Sequence, residues 1–152
     1  MSAIIRPATE ADIPRLVQLY DDLAITEAPV EKGKQVSPDE YREVFSRIAA
    51  DPNHHLLILE ADGKVVATLV YILVPNLSHR ACPWAIIENV IVDKEYRRWG
   101  LGRVLMDYAL ARSREAGCFR VQLCSSVQRA EAHLFYRSLG FEPSAYGFRL
   151  YF

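Results

Sequence analysis

The tightest constraint on the fold lies in one stretch, Glu88-Asn89-Val90-Ile91-Val92-Asp93-Lys94-Glu95-Tyr96-Arg97-Arg98-Trp99-Gly100-Leu101-Gly102-Arg103. The apolar run Trp84 to Val92 has strand composition. It gives way through a short loop to a helix whose Leu101, Val104, Leu105 and Tyr108 recur on one face until Gly117. Residues 97–103 hold two glycines and three arginines. The first turn of a helix leaves backbone N–H groups unpaired at the positive end of its dipole, and glycine lets an anion approach the backbone closely. The loop is therefore expected to hold a pyrophosphate. A P-loop is excluded because no lysine follows either glycine. A G-x-G-x-x-G dinucleotide fingerprint is excluded because Leu105 stands where its third glycine would fall. What remains is Arg97-x-x-Gly100-x-Gly102.

The flanking sequence supplies the other elements of an α/β fold. Ala3 to Arg6 is a β-like run closed by Pro7, and Thr9-Glu10-Ala11-Asp12 caps a helix carrying Ile13, Leu16, Val17 and Tyr20, with Pro14 in its first turn. Residues 25–36 read as a loop. Ser37-Pro38-Asp39-Glu40 then caps a second helix with Tyr41, Val44, Phe45 and Ile48 as its buried stripe. Leu56 to Glu60 and Lys64 to Val74 are strands of a hairpin turning on Asp62-Gly63, and Pro75 to Pro83 is a polar loop. After the third helix, Phe119 to Cys124 reads as a strand. Ala132, Phe135, Tyr136 and Leu139 mark a last helix stopped by Gly140, and Tyr146 to Phe152 closes the chain as a strand. The order β-α-α-β-β-β-α-β-α-β, without repeats, predicts a sheet with helices on both faces.

At 152 residues the chain has room for one domain, 1–152. No apolar run reaches the roughly 20 residues of a membrane helix, and the start MSAIIRPATEAD lacks the apolar segment of a signal peptide, so no membrane partner is expected. Cys82, Cys118 and Cys124 lack metal-type spacing, which suits a reducing cytoplasm and neither a zinc site nor a disulfide framework. The net charge of -1 conceals an asymmetry: residues 1–64 carry 7 basic and 12 acidic side chains, residues 65–152 carry 11 and 7. An anion site is thus sought in the second half. The three arginines of residues 97–103 account for most of that basic excess, and so short a loop suits a pyrophosphate rather than a nucleic acid.

Arg97-x-x-Gly100-x-Gly102 resembles the acetyl-CoA signature R/Q-x-x-G-x-G/A of the GNAT superfamily of N-acetyltransferases. Ala132-His133-Leu134-Phe135-Tyr136-Arg137-Ser138-Leu139-Gly140-Phe141 is similar to the superfamily's second block, and Ile5 to Asp12 looks like its usual start, so the resemblance covers nearly the whole chain. Ser126 to His133 and Tyr146 to Phe152 look similar to aminoalkylphosphonate N-acetyltransferases, whereas Ile87-Glu88-Asn89-Val90 looks more like glucosamine-6-phosphate N-acetyltransferases. The resemblance therefore carries over the superfamily and neither substrate. It implies a mixed, mostly antiparallel sheet flanked by helices on both faces. It also implies a cytoplasmic, metal-independent, acetyl-CoA-dependent N-acetyltransferase that passes acetyl directly to a small primary amine in a ternary complex, with a homodimer expected by analogy.

The resemblance further implies that Arg97, Arg98, Trp99, Gly100, Leu101, Gly102 and Arg103 hold the CoA pyrophosphate largely through backbone N–H groups. Val90, Ile91 and Val92 would pair with the pantetheine arm like a strand edge, the Val90 N–H stabilising the developing oxyanion. Tyr136 matches the tyrosine that donates a proton or hydrogen bond to the CoA sulfur. Glu88, a carboxylate following Trp84, Ala85, Ile86 and Ile87, is the base candidate. Plainer roles stand beside these: a solvated helix start for the arginines, a surface ring for Trp99, a core tyrosine for Tyr136, a salt-bridged or surface carboxylate for Glu88. A Gly102→Glu change is expected to abolish acetyl-CoA binding. Tyr20, Glu27, His79 and Trp84, near the loop Pro75 to Pro83, are candidate acceptor contacts. Cys124 reads as a buried strand cysteine, and His54, His55 and His79 as surface loop residues rather than metal ligands. Arg129 departs from the superfamily, many members of which have asparagine three residues before the alanine that Ala132 matches. Two alternatives remain open: a non-catalytic acyl-CoA sensor, and acetylation of a protein or peptide amine.

Overall fold

A computed structural model describes residues 2–23 and 27–152. Five strands, β1 (Ala3–Pro7), β2 (His54–Ala61), β3 (Lys64–Val74), β4 (Trp84–Val92) and β5 (Val121–Gln122), form one sheet in that order. The first four are antiparallel neighbours and β5 joins β4 in parallel. Four α-helices, α1 (Ile13–Asp21), α2 (Pro38–Ala50), α3 (Leu101–Glu115) and α4 (Ala130–Ser138), complete the fold. Among the described residues no helix is long and apolar enough to cross a membrane.

The central strand β3 is buried continuously from Val66 to Tyr71, as expected of a sheet covered on both faces. Leu57, Leu59, Ala67, Leu69, Tyr71 and Ile87 pack with Leu101, Leu105, Met106 and Ala109 of α3 and with Tyr136 of α4. Thr68, which alternates with Ala67 and Leu69, accepts the approach of Tyr20 from α1. Its hydroxyl donates to the Leu57 carbonyl at 2.7 Å, so this buried polar group is satisfied. The hairpin turns where the Asp-Gly pair requires, with φ of +48° at Asp62 and +81° at Gly63. Ser37 caps α2 through the Glu40 N–H, and the Glu40 carboxylate returns a bond to the Ser37 N–H.

Four local expectations are corrected. Helix α2 has no buried residue: only Phe45 and Ile48 are half-covered, because the helix leans on β2 at one side of the sheet, leaving Tyr41 and Val44 in water. Val104 is exposed, and the buried face of α3 runs instead through Leu101, Leu105, Met106, Ala109 and Ser113. His54 and His55 lie in β2 rather than in a loop, with His55 stacked on Tyr71 at 4.3 Å. The last strand of the expected order is absent, and residues 142–152 join no ladder. Strand β5 is only two residues long, too short an edge to template a partner. The terminal segment instead passes Cys124 and ends where the Val30 N–H donates to the Phe152 carbonyl at 2.8 Å. Tyr146, Phe148, Leu150 and Phe152 are exposed.

The front of the fold is pinned by Asp12. Its carboxylate takes two bonds from the Arg6 guanidinium, at 2.7 and 3.0 Å, and further bonds from the Thr9 N–H and hydroxyl. Arg6 also reaches Glu60 on β2 at 3.1 Å, so one arginine joins β1, β2 and the start of α1. These contacts hold the Asp12 pKa down at about 2, first through the Arg6 hydrogen bonds. A carboxylate depressed in the folded state adds stability above its unfolded pKa, and that stability is lost as the pH falls through the folded value. Asp12→Asn should therefore destabilise the protein by about 2 kcal/mol at pH 7 in urea unfolding, with the gap to wild type closing between about pH 4 and 2. Equal midpoints at pH 7 would remove Asp12 from this role.

Candidate active site

Strands β4 and β5 pair through only two positions, Ala85 with Val121 and Ile86 with Gln122. Beyond them the chains separate. A cavity of about 430 Å³ opens between Ile87 to Val90 on one side and Leu123 to Ser126 on the other, and Tyr20, Arg129, Tyr136, Arg149 and Tyr151 also line it. A second irregularity lies on the β4 side. Thr68 faces Ile91 and Val70 faces Glu88, so Asn89 and Val90 together oppose Leu69 in a β-bulge. Asn89 adopts φ of +53°, a region asparagine enters more readily than a branched or bulky residue. The bulge removes the Val90 backbone from regular pairing and turns Glu88 into the cavity. The polar pair Glu88-Asn89 inside an apolar strand was the visible signal for it.

The arginine- and glycine-rich loop follows β4 and leads into α3. Gly100 holds φ of +79° as the residue before the helix, where an L side chain would be strained. The first helical bond runs from the Val104 N–H to the Gly100 carbonyl, so the N–H groups of Leu101, Gly102 and Arg103 have no partner within the helix. Two of the three arginine side chains are committed elsewhere. Arg97 donates to the Val92 carbonyl at 3.0 Å, and Arg103 donates to the Ser138 hydroxyl at 2.7 Å and carbonyl at 3.2 Å. They brace the loop against β4 and α4, leaving the backbone N–H groups to face an anion. Arg98 is almost fully exposed, with one long contact to Glu131 at 3.9 Å. Trp99 is a surface ring tilted against Tyr96. Ile91 points into the core and Val92 packs against it, so only their backbones can meet a ligand.

Glu88 and Tyr136 line the same cavity. Glu88 is open to solvent at its tip, yet the cleft walls desolvate its carboxyl and raise its pKa, an effect that Arg149 opposes. Tyr136 is buried, its ring set between Phe135 and Phe141. Burial raises its pKa, with Arg129 pulling the other way and Glu88 adding to the rise. Tyr136 thus holds its proton more firmly than an ordinary phenol, and Glu88 takes one up more readily than an ordinary carboxylate.

Of the expected acceptor contacts only Tyr20 lines the cleft. The loop Pro75 to Pro83 borders a separate depression with Leu73 and Ala116, because it joins β3 to the start of β4 while the cleft opens further along β4. His79 stacks on Phe119 at 3.9 Å, Trp84 carries Arg120 over its ring at 4.6 Å, and Glu27 is exposed. Cys124 is exposed and borders the cavity, since β5 ends at Gln122 before reaching it. The residues not anticipated are Ser125, Arg149 and Tyr151, brought in by the turn after β5 and by the terminal segment.

The chain matches the model of the acetyltransferase (GNAT) family over residues 16–141. It is 28% identical over 109 residues to the aminoalkylphosphonate N-acetyltransferase of Salmonella typhimurium, covering 71% of this chain and 70% of that one. It is also 28% identical over 146 residues to the glucosamine 6-phosphate N-acetyltransferase of Trypanosoma brucei brucei, covering 96% and 93%. A solved structure described as a transcriptional regulator from Bacillus halodurans C-125 superposes with a TM-score of 0.87 at 30% identity, covering 99% and 100%.

Gly102 has a packing role besides any ligand contact. A Cβ there would sit 3.3 Å from the Val92 Cγ2 and 3.5 Å from the Phe135 ring, so any side chain is driven between β4 and α4. Loss of binding in Gly102→Glu would thus mix steric and electrostatic causes. Gly102→Val should lower stability by about 1–3 kcal/mol in urea unfolding, as overpacked sites do; an unchanged midpoint would show that the helix start is not packed this closely.

Proposed function

The chain belongs to the acetyltransferase (GNAT) family, and from that premise we propose that it transfers acetyl from acetyl-CoA directly to the primary amine of a small molecule. It is an N-acetyltransferase. One observation carries the finer reading: Glu88, Val90 and Tyr136 border a single cleft, and the start of α3, with its N–H groups unpaired within the helix, packs through Gly102 against Val92 and Phe135, the neighbours of that cleft's wall. The two named relatives act on small amines by their descriptions, which supports the same acceptor class here. The three cysteines, all free, suit a cytoplasmic setting.

The residues fit CoA. The Leu101, Gly102 and Arg103 N–H groups suit a pyrophosphate, and the bulged Val90 backbone suits an extended arm lying beside β4. Acetyl-CoA supplies the activated acyl carbon. Glu88 accepts the proton of the incoming ammonium, directly or through a water, frees the nitrogen lone pair for attack, and afterwards releases that proton to solvent. The Val90 N–H donates to the carbonyl oxygen as the C–N bond forms and charge gathers there. Tyr136 gives its proton to the sulfur as the C–S bond breaks, and the proton shed by the nitrogen restores the phenol, so the amide and the free thiol leave balanced.

Tyr136→Phe should lower kcat by about a hundredfold or more in a CoA-release assay, the scale of proton donation, while acetyl-CoA affinity is largely kept. Unchanged turnover would remove Tyr136 from the chemistry. Glu88 must be ionised to act, so kcat/KM should fall on acidification along a limb set above the ordinary carboxylate range by its desolvation. Glu88→Gln should lower the rate and erase that limb, leaving only the acceptor's own ionisation; a limb that persists at the same pH would assign it to another group.

A further inference from the structure

The terminal segment brings a cation to the cleft. Arg149 and Tyr151 border the cavity shared by Glu88 and Tyr136. Tyr151 lies beside the Arg149 guanidinium and helps keep it protonated, and Cys124 and Glu88 are close enough to act on its charge. Arg149 and Glu88 nonetheless form no ion pair, and every ion pair among the described residues joins other side chains. Two opposite charges bordering one cavity without touching leave room for a ligand that carries both signs in the reverse sense.

The cavity's other arginine, Arg129, lowers the pKa of Tyr136, the group assigned to the thioester, and Arg149 lowers that of Glu88, the group assigned to the amine.

We propose that Arg149 forms a subsite for an oxyanion on the acceptor, so that the substrate class is short primary amines ending in a phosphonate, phosphate or carboxylate. This rests on the acetyl-transfer reading of the cleft. The ammonium faces Glu88 and the oxyanion tail faces the guanidinium, whose planar fork donates to two oxygens at once. A neutral tail leaves Arg149 without a partner, and a cationic tail meets repulsion.

The test compares three probes of similar length with the full chain: 2-aminoethylphosphonate, ethanolamine and 1,4-diaminobutane. Equilibrium binding to the CoA complex and acetyl transfer are measured for wild type, Arg149→Gln and Arg149→Lys. Wild type should favour the phosphonate over ethanolamine, and ethanolamine over the diamine. Arg149→Gln should reduce the phosphonate-to-ethanolamine ratio of kcat/KM by about 10- to 100-fold, mainly through KM, with Arg149→Lys restoring part of it. Phosphonate binding that depends on Arg149 without acetyl transfer would uphold the subsite and refute the transferase reading. Turnover of the neutral or cationic probe as efficiently as the phosphonate, or a ratio indifferent to Arg149→Gln in a variant that unfolds at the wild-type midpoint, would overturn the subsite and leave acetyl transfer standing.

Discussion

Two residue pairs, Ala85 with Val121 and Ile86 with Gln122, join the last two strands, and the site depends on that pairing stopping where it does. A longer parallel ladder would close the sheet and fill the space between Ile87 to Val90 and Leu123 to Ser126 with backbone hydrogen bonds. Its failure leaves a wedge whose sides carry unpaired main-chain groups. The bulge at Asn89 and Val90 adds to this on the β4 side, where the antiparallel ladder with β3 would otherwise run unbroken. Both irregularities occur where a ligand can take over the lost bonds, a common placement for bulges.

The charges divide by task. Arg97 and Arg103 tie the loop to Val92 and to Ser138, so their side chains brace the α3 N-terminus. Rigidity matters because N–H groups act on an anion only when fixed in direction. Arg6 does comparable work at the far edge, where it gathers Asp12 and Glu60 and fixes the entry into α1. Helix α1 in turn carries Tyr20 to the cleft. The basic excess of residues 65–152 thus resolves into braces, one exposed arginine in the loop, and the cleft arginines Arg129 and Arg149.

Much of this was legible in the chain because local rules and tertiary packing agree. The Asp62-Gly63 turn, the Ser37 cap, the Gly140 stop and the strand-loop-helix around Gly100 each follow from a residue type that permits few conformations. Tyr136 and Glu88, which both border the cleft, stood out in the sequence for the same reason, one by its place in a Phe-Tyr block and the other by its charge in an apolar strand. The failures share a cause as well. Periodicity says which residues could face a core, but not whether one is present: Tyr41 and Val44 have the spacing and no partner, and Tyr146 to Phe152 has the composition of a strand but no edge long enough to join. Arg149 was invisible as a site residue because its position is set by the path of that segment past Cys124. Glu27, His79 and Trp84 do not border the cleft that Tyr20 lines, and the sequence gives no sign of which end of β4 it occupies.

The central claim is that acetyl-CoA lies in the wedge between β4 and β5, held by backbone N–H groups at the start of α3 and beside the Asn89 bulge. Amide NMR of the full chain titrated with acetyl-CoA tests it most directly. The account predicts saturable shifts concentrated at Val90 to Val92 and at Trp99 to Arg103, with Arg97 and Arg103 side-chain signals little changed because those groups are already bonded. Shifts confined to other surfaces, or no saturable binding, would contradict it.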